Sequence, residues 1–316
     1  MFGALLALAS AATFGLNNAA LRRGVLTGGV LQAMAITVPL GVPLFLLACI
    51  AFGGLDSLVG FSRSSLFWLA LAGVVHFVIG RYGNYRATQA LGAALSGPLH
   101  QLSVPVAVTL ALIFLDEVLT PLRMIGFVLV MIGPLVAAHR PKNTKFEPRL
   151  GEGYLWGTVS AIGYGCSPLF IVYGLGVNAT LVDSLAAGLV SYSAAAIIVI
   201  AAVVIAGGFA YMRTLDRTAR NWFALSGAFV FVSQMLRYMA LAVAPVTIVV
   251  PIQRLSVVFR VIFSWMLNRD HEVITARVLA SIAISVLGAF ALTLSTDIVL
   301  SLFPAEWADV LSVEWP

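Results

Sequence analysis

Charge is what this sequence has least of. Only 10% of its 316 residues are Asp, Glu, Lys or Arg, against about 25% in a soluble domain. A chain this poor in charge cannot cover a water-facing surface, so lipid must cover it. Lys and Arg (18) outnumber Asp and Glu (13). In a soluble protein that excess would suggest nucleic acid. Here most of the basic residues stand between apolar segments, which excludes nucleic acid as a partner and speaks of membrane orientation instead. Cysteine is nearly absent. Cys49 and Cys166 both lie in apolar segments without a CxxC partner, which excludes a disulfide framework and a cysteine metal site. His76, His100, His139 and His271 show no metal-ligand spacing, and neither a P-loop nor a Gly-x-Ser-x-Gly elbow occurs. The expectation is a non-enzyme with no cofactor and no metal.

What remains is long apolar runs. A span needs about 20 mostly apolar residues. Ten stretches qualify, near 2–21, 29–52, 65–90, 94–115, 121–138, 153–175, 181–206, 220–243, 245–267 and 273–296. The first begins Met1-Phe2-Gly3 without positive residues, and Arg22 and Arg23 follow it. It therefore reads as a retained span and not as a cleaved signal peptide. Pro39 and Pro43 mark a kink in span two. The clearly polar linker, 139–152, divides the chain into residues 1–138 and 153–296, with an acidic tail at 297–316.

The two halves repeat. Pro98-Leu99-His100-Gln101-Leu102-Ser103 returns 153 positions later as Pro251-Ile252-Gln253-Arg254-Leu255-Ser256. Tyr85-Arg86-Ala87 faces Tyr238-Met239-Ala240, Trp68 and Gly73 face Trp222 and Gly227, and Ser10, Gly15 and Asn17 face Ser160, Gly165 and Ser167. An odd number of spans per copy turns the second copy upside down in the membrane. The expected fold is an all-α integral membrane protein of ten transmembrane helices in two inverted five-helix repeats, an architecture common among secondary transporters. Two complete repeats let a monomer form a whole cavity.

Alternating spans place Arg22, Arg23, Arg140, Lys142, Lys145, Arg149, Arg213, Arg217, Arg220, Arg269 and Arg277 on one side, and Arg63 and Arg123 on the other. The positive-inside rule makes the first side cytoplasmic and both termini external, in a plasma (bacterial inner) membrane.

Polar residues deep in the spans are the candidates for chemistry. Span three holds His76, Arg81, Asn84 and Arg86, span four His100 and Gln101, span eight Gln234, Arg237 and Tyr238, and span nine Gln253, Arg254 and Arg260. A charge at mid-bilayer costs about 2.5–3.5 kcal/mol on insertion scales, so such residues face a cavity or a partner. Arg86 and Arg260 lie toward span ends and can snorkel. Arg81 and Arg254 lie nearest the midplane, and the spans supply almost no acids to pair with them. His76 and His100 read equally as hydrogen-bonded core residues or as substrate and proton-coupling groups. Gln101 and Gln253 either contact substrate or join helices.

The order and repetition of these motifs resemble the drug/metabolite transporter superfamily in its EamA-type branch. The resemblance rests on Gly15-Leu16-Asn17 and Gly165-Cys166-Ser167, on Tyr85 to Ala90 before Pro98 and Tyr238 to Ala242 before Pro251, and on Asp116-Glu117 to Thr120 and Glu272 to Thr275 ahead of Gly126 and Gly288. It covers roughly residues 1–296 and implies export or exchange of a small metabolite by alternating access. The family is usually described with cytoplasmic termini, opposite to the charge count here. The expected substrate carries an anionic group such as an amino acid, carboxylate or phosphate ester, bound by Arg81 and Arg254. His76, Asn84, His100, Gln101, Gln234, Arg237, Tyr238 and Gln253 would line the cavity. A proton or counter-substrate would supply coupling. The alternatives are a proton-coupled exporter of hydrophobic or cationic drugs, against which the absence of an acid in spans one and six speaks, and a non-transporting membrane scaffold.

Overall fold

The computed structural model describes residues 1–115, 120–137 and 149–267, with isolated positions between 276 and 291. Asp116, Glu117, Glu272, most of the polar linker, most of the tenth apolar stretch and the acidic tail fall outside the described residues.

Among the described residues there are helices and turns but no strand. This is what a bilayer demands, because each helix satisfies its own backbone polar groups. The chain runs through α1 (Phe2–Gly24), α2 (Val30–Thr37), α3 (Gly41–Phe52), α4 (Leu55–Gly60) and α5 (Arg63–Gly73). A π-helix (Val74–Gly80) leads into α6 (Arg81–Gln101), followed by α7 (Ser103–Phe114) and α8 (Pro121–Ala137). The second half holds α9 (Leu150–Leu175), α10 (Leu181–Ile205), α11 (Gly208–Arg213), α12 (Arg217–Val243), α13 (Val246–Arg254) and α14 (Ser256–Leu267). Among the described residues seven helical stretches are long and apolar enough to cross a membrane, so the protein is a multi-pass membrane protein.

The interruptions have local causes. Span two breaks between Thr37 and Gly41, around Pro39, and Pro43 falls in the first turn of α3, where its missing N–H costs nothing. Along α6, Leu91 packs on Gly153 of α9 and Leu99 packs on Gly157.

Packing is reciprocal between the halves. α1 lies against α12, as α9 lies against α5, the π-helix and α6. α1 also meets α13 and α14, as α9 meets α7. Equivalent hydrogen bonds seal both crossings. Ser10 donates to the Ser233 carbonyl at 2.8 Å, and Ser160 donates to the Gly80 carbonyl at 2.8 Å. The crossings are close because glycine leaves room. A Cβ on Gly163 would lie 2.9 Å from the Val75 carbonyl oxygen, and one on Gly73 would overlap the carbonyl of Ser191.

One irregularity breaks this symmetry. Trp222 and Gly227 follow Trp68 and Gly73 by 154 residues, whereas Tyr238 follows Tyr85 by 153. The first copy thus holds one extra residue between Gly73 and Tyr85, and there the helix widens to the π form. The Arg81 N–H reaches back five residues to the His76 carbonyl. A π-bulge is how a helix absorbs a single inserted residue, and such bulges concentrate at functional sites. His76 sits inside this one.

Candidate functional site: a basic cavity at the two helix breaks

The doubled six-residue stretch forms the same break twice. α6 gives way to α7 at Leu102 (φ −59°, ψ −15°), and α13 gives way to α14 at Leu255 (φ −58°, ψ −13°). A break frees backbone carbonyls from the helix ladder. Each copy uses one from the other: Gln101 Nε2 donates to the Arg254 carbonyl at 3.1 Å, and an Arg254 Nη donates to the His100 carbonyl at 3.5 Å. The repeated motifs meet at the centre of the molecule.

Beside this junction lies a small cavity. Ser10, Ala11 and Phe14 of α1 form one wall, with His76 of the π-helix and Tyr164 of α9. Ser233, Gln234 and Arg237 of α12 form another, with Gln253, Arg254 and Ser256 at the second break. Among the described residues no carboxylate lines it.

A continuous hydrogen-bond network organises the wall. The Arg237 guanidinium donates to Gln253 Oε1 at 3.2 Å, to Gln234 Oε1 at 3.4 Å and to Ser167 Oγ at 2.8 Å. Ser167 Oγ also lies 2.8 Å from His76 Nδ1. Gln253 Nε2 donates to Ser10 Oγ at 2.9 Å. Five helical elements are tied together without an acid. Arg254 is held differently. Its one long bond to His100 and a place over the Tyr164 ring, 5.7 Å from the centroid, leave Nε without a partner among the described residues. Arg254 is only 8% exposed. A guanidinium carries five N–H donors, so most of those on Arg254 remain for something else.

Of the residues singled out from sequence, His76, Gln234, Arg237, Gln253 and Arg254 come together on the cavity wall. Arg81 does not join them. Its guanidinium donates to the Thr37 carbonyl at 3.2 Å and to the Tyr192 hydroxyl at 2.9 Å, and it lies over the Phe77 and Tyr192 rings. The structure thus separates Arg81 from Arg254, and Arg237 takes the place beside Arg254. Asn84 is bonded behind the wall to Asn18, at 3.4 Å. His100 and Gln101 brace the break, and Tyr238 is fully buried in the core around Phe45. Arg86 does not snorkel free but pairs with Glu152, which also holds Arg149 at 2.7 Å. Arg260 bonds Thr88 and Ser96, both at 3.0 Å. Tyr164 is among the wall residues that sequence reasoning missed, together with Ser10, Ala11, Phe14, Ser233 and Ser256.

Among the described residues no group of His, Cys, Asp or Glu could hold a metal, and Cys49 and Cys166 are unpaired.

Comparison with known proteins gives a fold and a family. A solved protein, titled only as the crystal structure of a protein, superposes with a TM-score of 0.66 over 92% of this chain and 95% of its own, at 15% identity. That likeness concerns the fold alone. No curated protein matches this sequence. Residues 1–138 match the EamA-like transporter family. This is a transporter family and not an enzyme family, and it belongs to the drug/metabolite transporter superfamily.

Proposed function

We propose that the protein is a secondary-active transporter, an exporter or exchanger, that moves a small metabolite bearing an anionic group by alternating access. The observation that carries the reading is the cavity wall: two buried arginines, Arg237 and Arg254, with no carboxylate beside them. Unpaired buried charge is costly, and a bound anion offsets that cost. A guanidinium fork suits a carboxylate or phosphate. Arg254, with most of its donors unused, is the anion-binding residue. Arg237 has spent three donors on neighbours and positions the wall.

Reciprocal packing, the paired serine bonds and the matching breaks at Leu102 and Leu255 support ten spans in two inverted five-helix repeats. The linker side is tied shut by Arg86–Glu152–Arg149 and by Arg260. At the position equivalent to Arg86–Glu152, the other copy carries Met239 and Phe2. One side of the cavity is thus latched by charge and the other by apolar contact, as alternating access requires two separable closures. The charge count places the linker in the cytoplasm, and both termini outside, of a plasma membrane. A proton or a counter-substrate couples transport, and a monomer completes the cavity.

The test is thermal unfolding of the purified protein with a panel of organic anions, amino acids, sugar phosphates and lipophilic cations. A ligand that binds only the folded state raises the melting temperature. Stabilisation by anions is expected. Stabilisation confined to lipophilic cations would move the protein to the drug-exporting reading.

A further inference from the structure

We propose that Ser167 is a positioning residue that holds His76 as the Nε2–H tautomer, so that His76 joins Arg254 in offering N–H donors to the cavity's ligand. The part that concerns the ligand rests on the anionic reading above; the tautomer itself does not.

Hydrogen-bond bookkeeping at one oxygen decides it. Ser167 Oγ has two contacts at 2.8 Å, Arg237 Nη and His76 Nδ1. A guanidinium can only donate, so Ser167 accepts from Arg237. The hydroxyl hydrogen then has two places to go. One is His76 Nδ1. The other is the Tyr164 carbonyl, which Pro168 deprives of its helical partner but which lies at 3.4 Å. A hydroxyl donor prefers about 2.7–2.8 Å and weakens as it lengthens, so the hydrogen goes to Nδ1. A histidine that accepts at Nδ1 carries its own proton on Nε2. His76 borders the cavity, and Nε2 is the ring nitrogen left for a ligand.

The same count applies to the rest of the wall. The amide oxygens of Gln234 and Gln253 are both taken by Arg237, and Ser10 Oγ accepts from Gln253 Nε2. Arg237 and Gln253 therefore engage these three acceptors, while Arg254 and His76 keep their donors. The chemistry that satisfies such a surface is a fully deprotonated oxyanion. An ammonium or a lipophilic cation would instead face these donors, with the hydroxyls of Tyr164, Ser233 and Ser256 as its acceptors on the wall.

Histidine NMR of the ¹⁵N-labelled, detergent-purified protein at pH 8 tests the tautomer. The chain has four histidines, and the signal lost in His76→Gln identifies the one in question. The expected spectrum shows an unprotonated Nδ1 and a protonated Nε2. Ser167→Ala should convert His76 to a mixture of tautomers, and Ser167→Thr, which keeps the hydroxyl, should retain the wild-type signal. A protonated Nδ1 in the wild type, or an unchanged signal in Ser167→Ala, overturns the proposal. The ligand arm uses succinate and inorganic phosphate in thermal unfolding. Gln can place an N–H near the Nε2 position and Asn cannot, so His76→Gln should keep the anion-induced shift and His76→Asn should need at least tenfold more anion. Equal responses of the two variants overturn the ligand role. The expected tautomer without stabilisation by either anion upholds the role of Ser167 and overturns the anionic reading.

Discussion

Replacing Arg254 by Gln separates binding from folding. In the free protein Arg254 makes one 3.5 Å bond and one ring contact while only 8% exposed. A net hydrogen bond contributes about 0.5–1.5 kcal/mol, and a long one lies at the bottom of that range. Removing an uncompensated buried charge works the other way. The ligand-free variant should therefore be as stable as the wild type or slightly more so. Binding should respond strongly. An anion held by two guanidinium donors loses two charge-assisted bonds of about 1.5–3 kcal/mol each. Even the lower value totals about 3 kcal/mol, roughly a hundredfold in affinity. At an anion concentration of about 100 Kd, the wild type gains about 2.7 kcal/mol of stability. The same concentration would be near Kd for the variant, which would gain about 0.4 kcal/mol. Chemical unfolding with and without anion reads both quantities. A variant that is strongly destabilised without ligand, or one that keeps the full anion-induced gain, would refute the division of labour between Arg254 and Arg237.

Arg237→Gln should show the opposite pattern, losing about 2 kcal/mol or more without ligand because buried amide oxygens of Gln234 and Gln253 lose their donor; unchanged unfolding would contradict this. Gly73→Ala forces α5 off α10, because the new methyl overlaps the Ser191 carbonyl. Overpacking of this kind costs about 1–3 kcal/mol, and a melting temperature equal to wild type would show that the crossing is looser than described. Asp216 caps α12, and its carboxyl is held below the usual carboxylate range, first by the Thr27 hydroxyl and then by the Ala219 N–H. A lowered folded-state value means stability that is present above the unfolded pKa and lost as pH falls through the folded one, below about pH 4. Asp216→Asn should flatten that acid limb in a pH series of melting temperatures, and an unchanged limb would remove Asp216 from it.

The central features were legible because they are doubled. Pro98–Ser103 and Pro251–Ser256 share a register, and a shared register produced the same break at Leu102 and Leu255. The one-residue difference in spacing between Trp68–Tyr85 and Trp222–Tyr238 was also on the page, and the π-helix at His76 is its physical expression. Depth within a span was legible; direction around the helix axis was less so. Arg81 and Arg254 both lie near mid-span, yet the first turns to Tyr192 and the second to the cavity. A π-bulge changes the angle at which every following residue leaves the helix, so a count by fours beyond His76 does not say which neighbour Arg81 meets. Tyr164 was invisible for another reason: its importance comes from what packs on it, Arg254 and His76, and not from its own chemistry.

Flux into sealed proteoliposomes tests the transport of an anion most directly. Labelled organic anions, sugar phosphates and lipophilic cations would be offered to wild type, Arg254→Gln and empty vesicles. The account predicts saturable movement of an anion by the wild type, absent from the variant and from empty vesicles. Saturable movement of lipophilic cations alone, undiminished in Arg254→Gln, would contradict it.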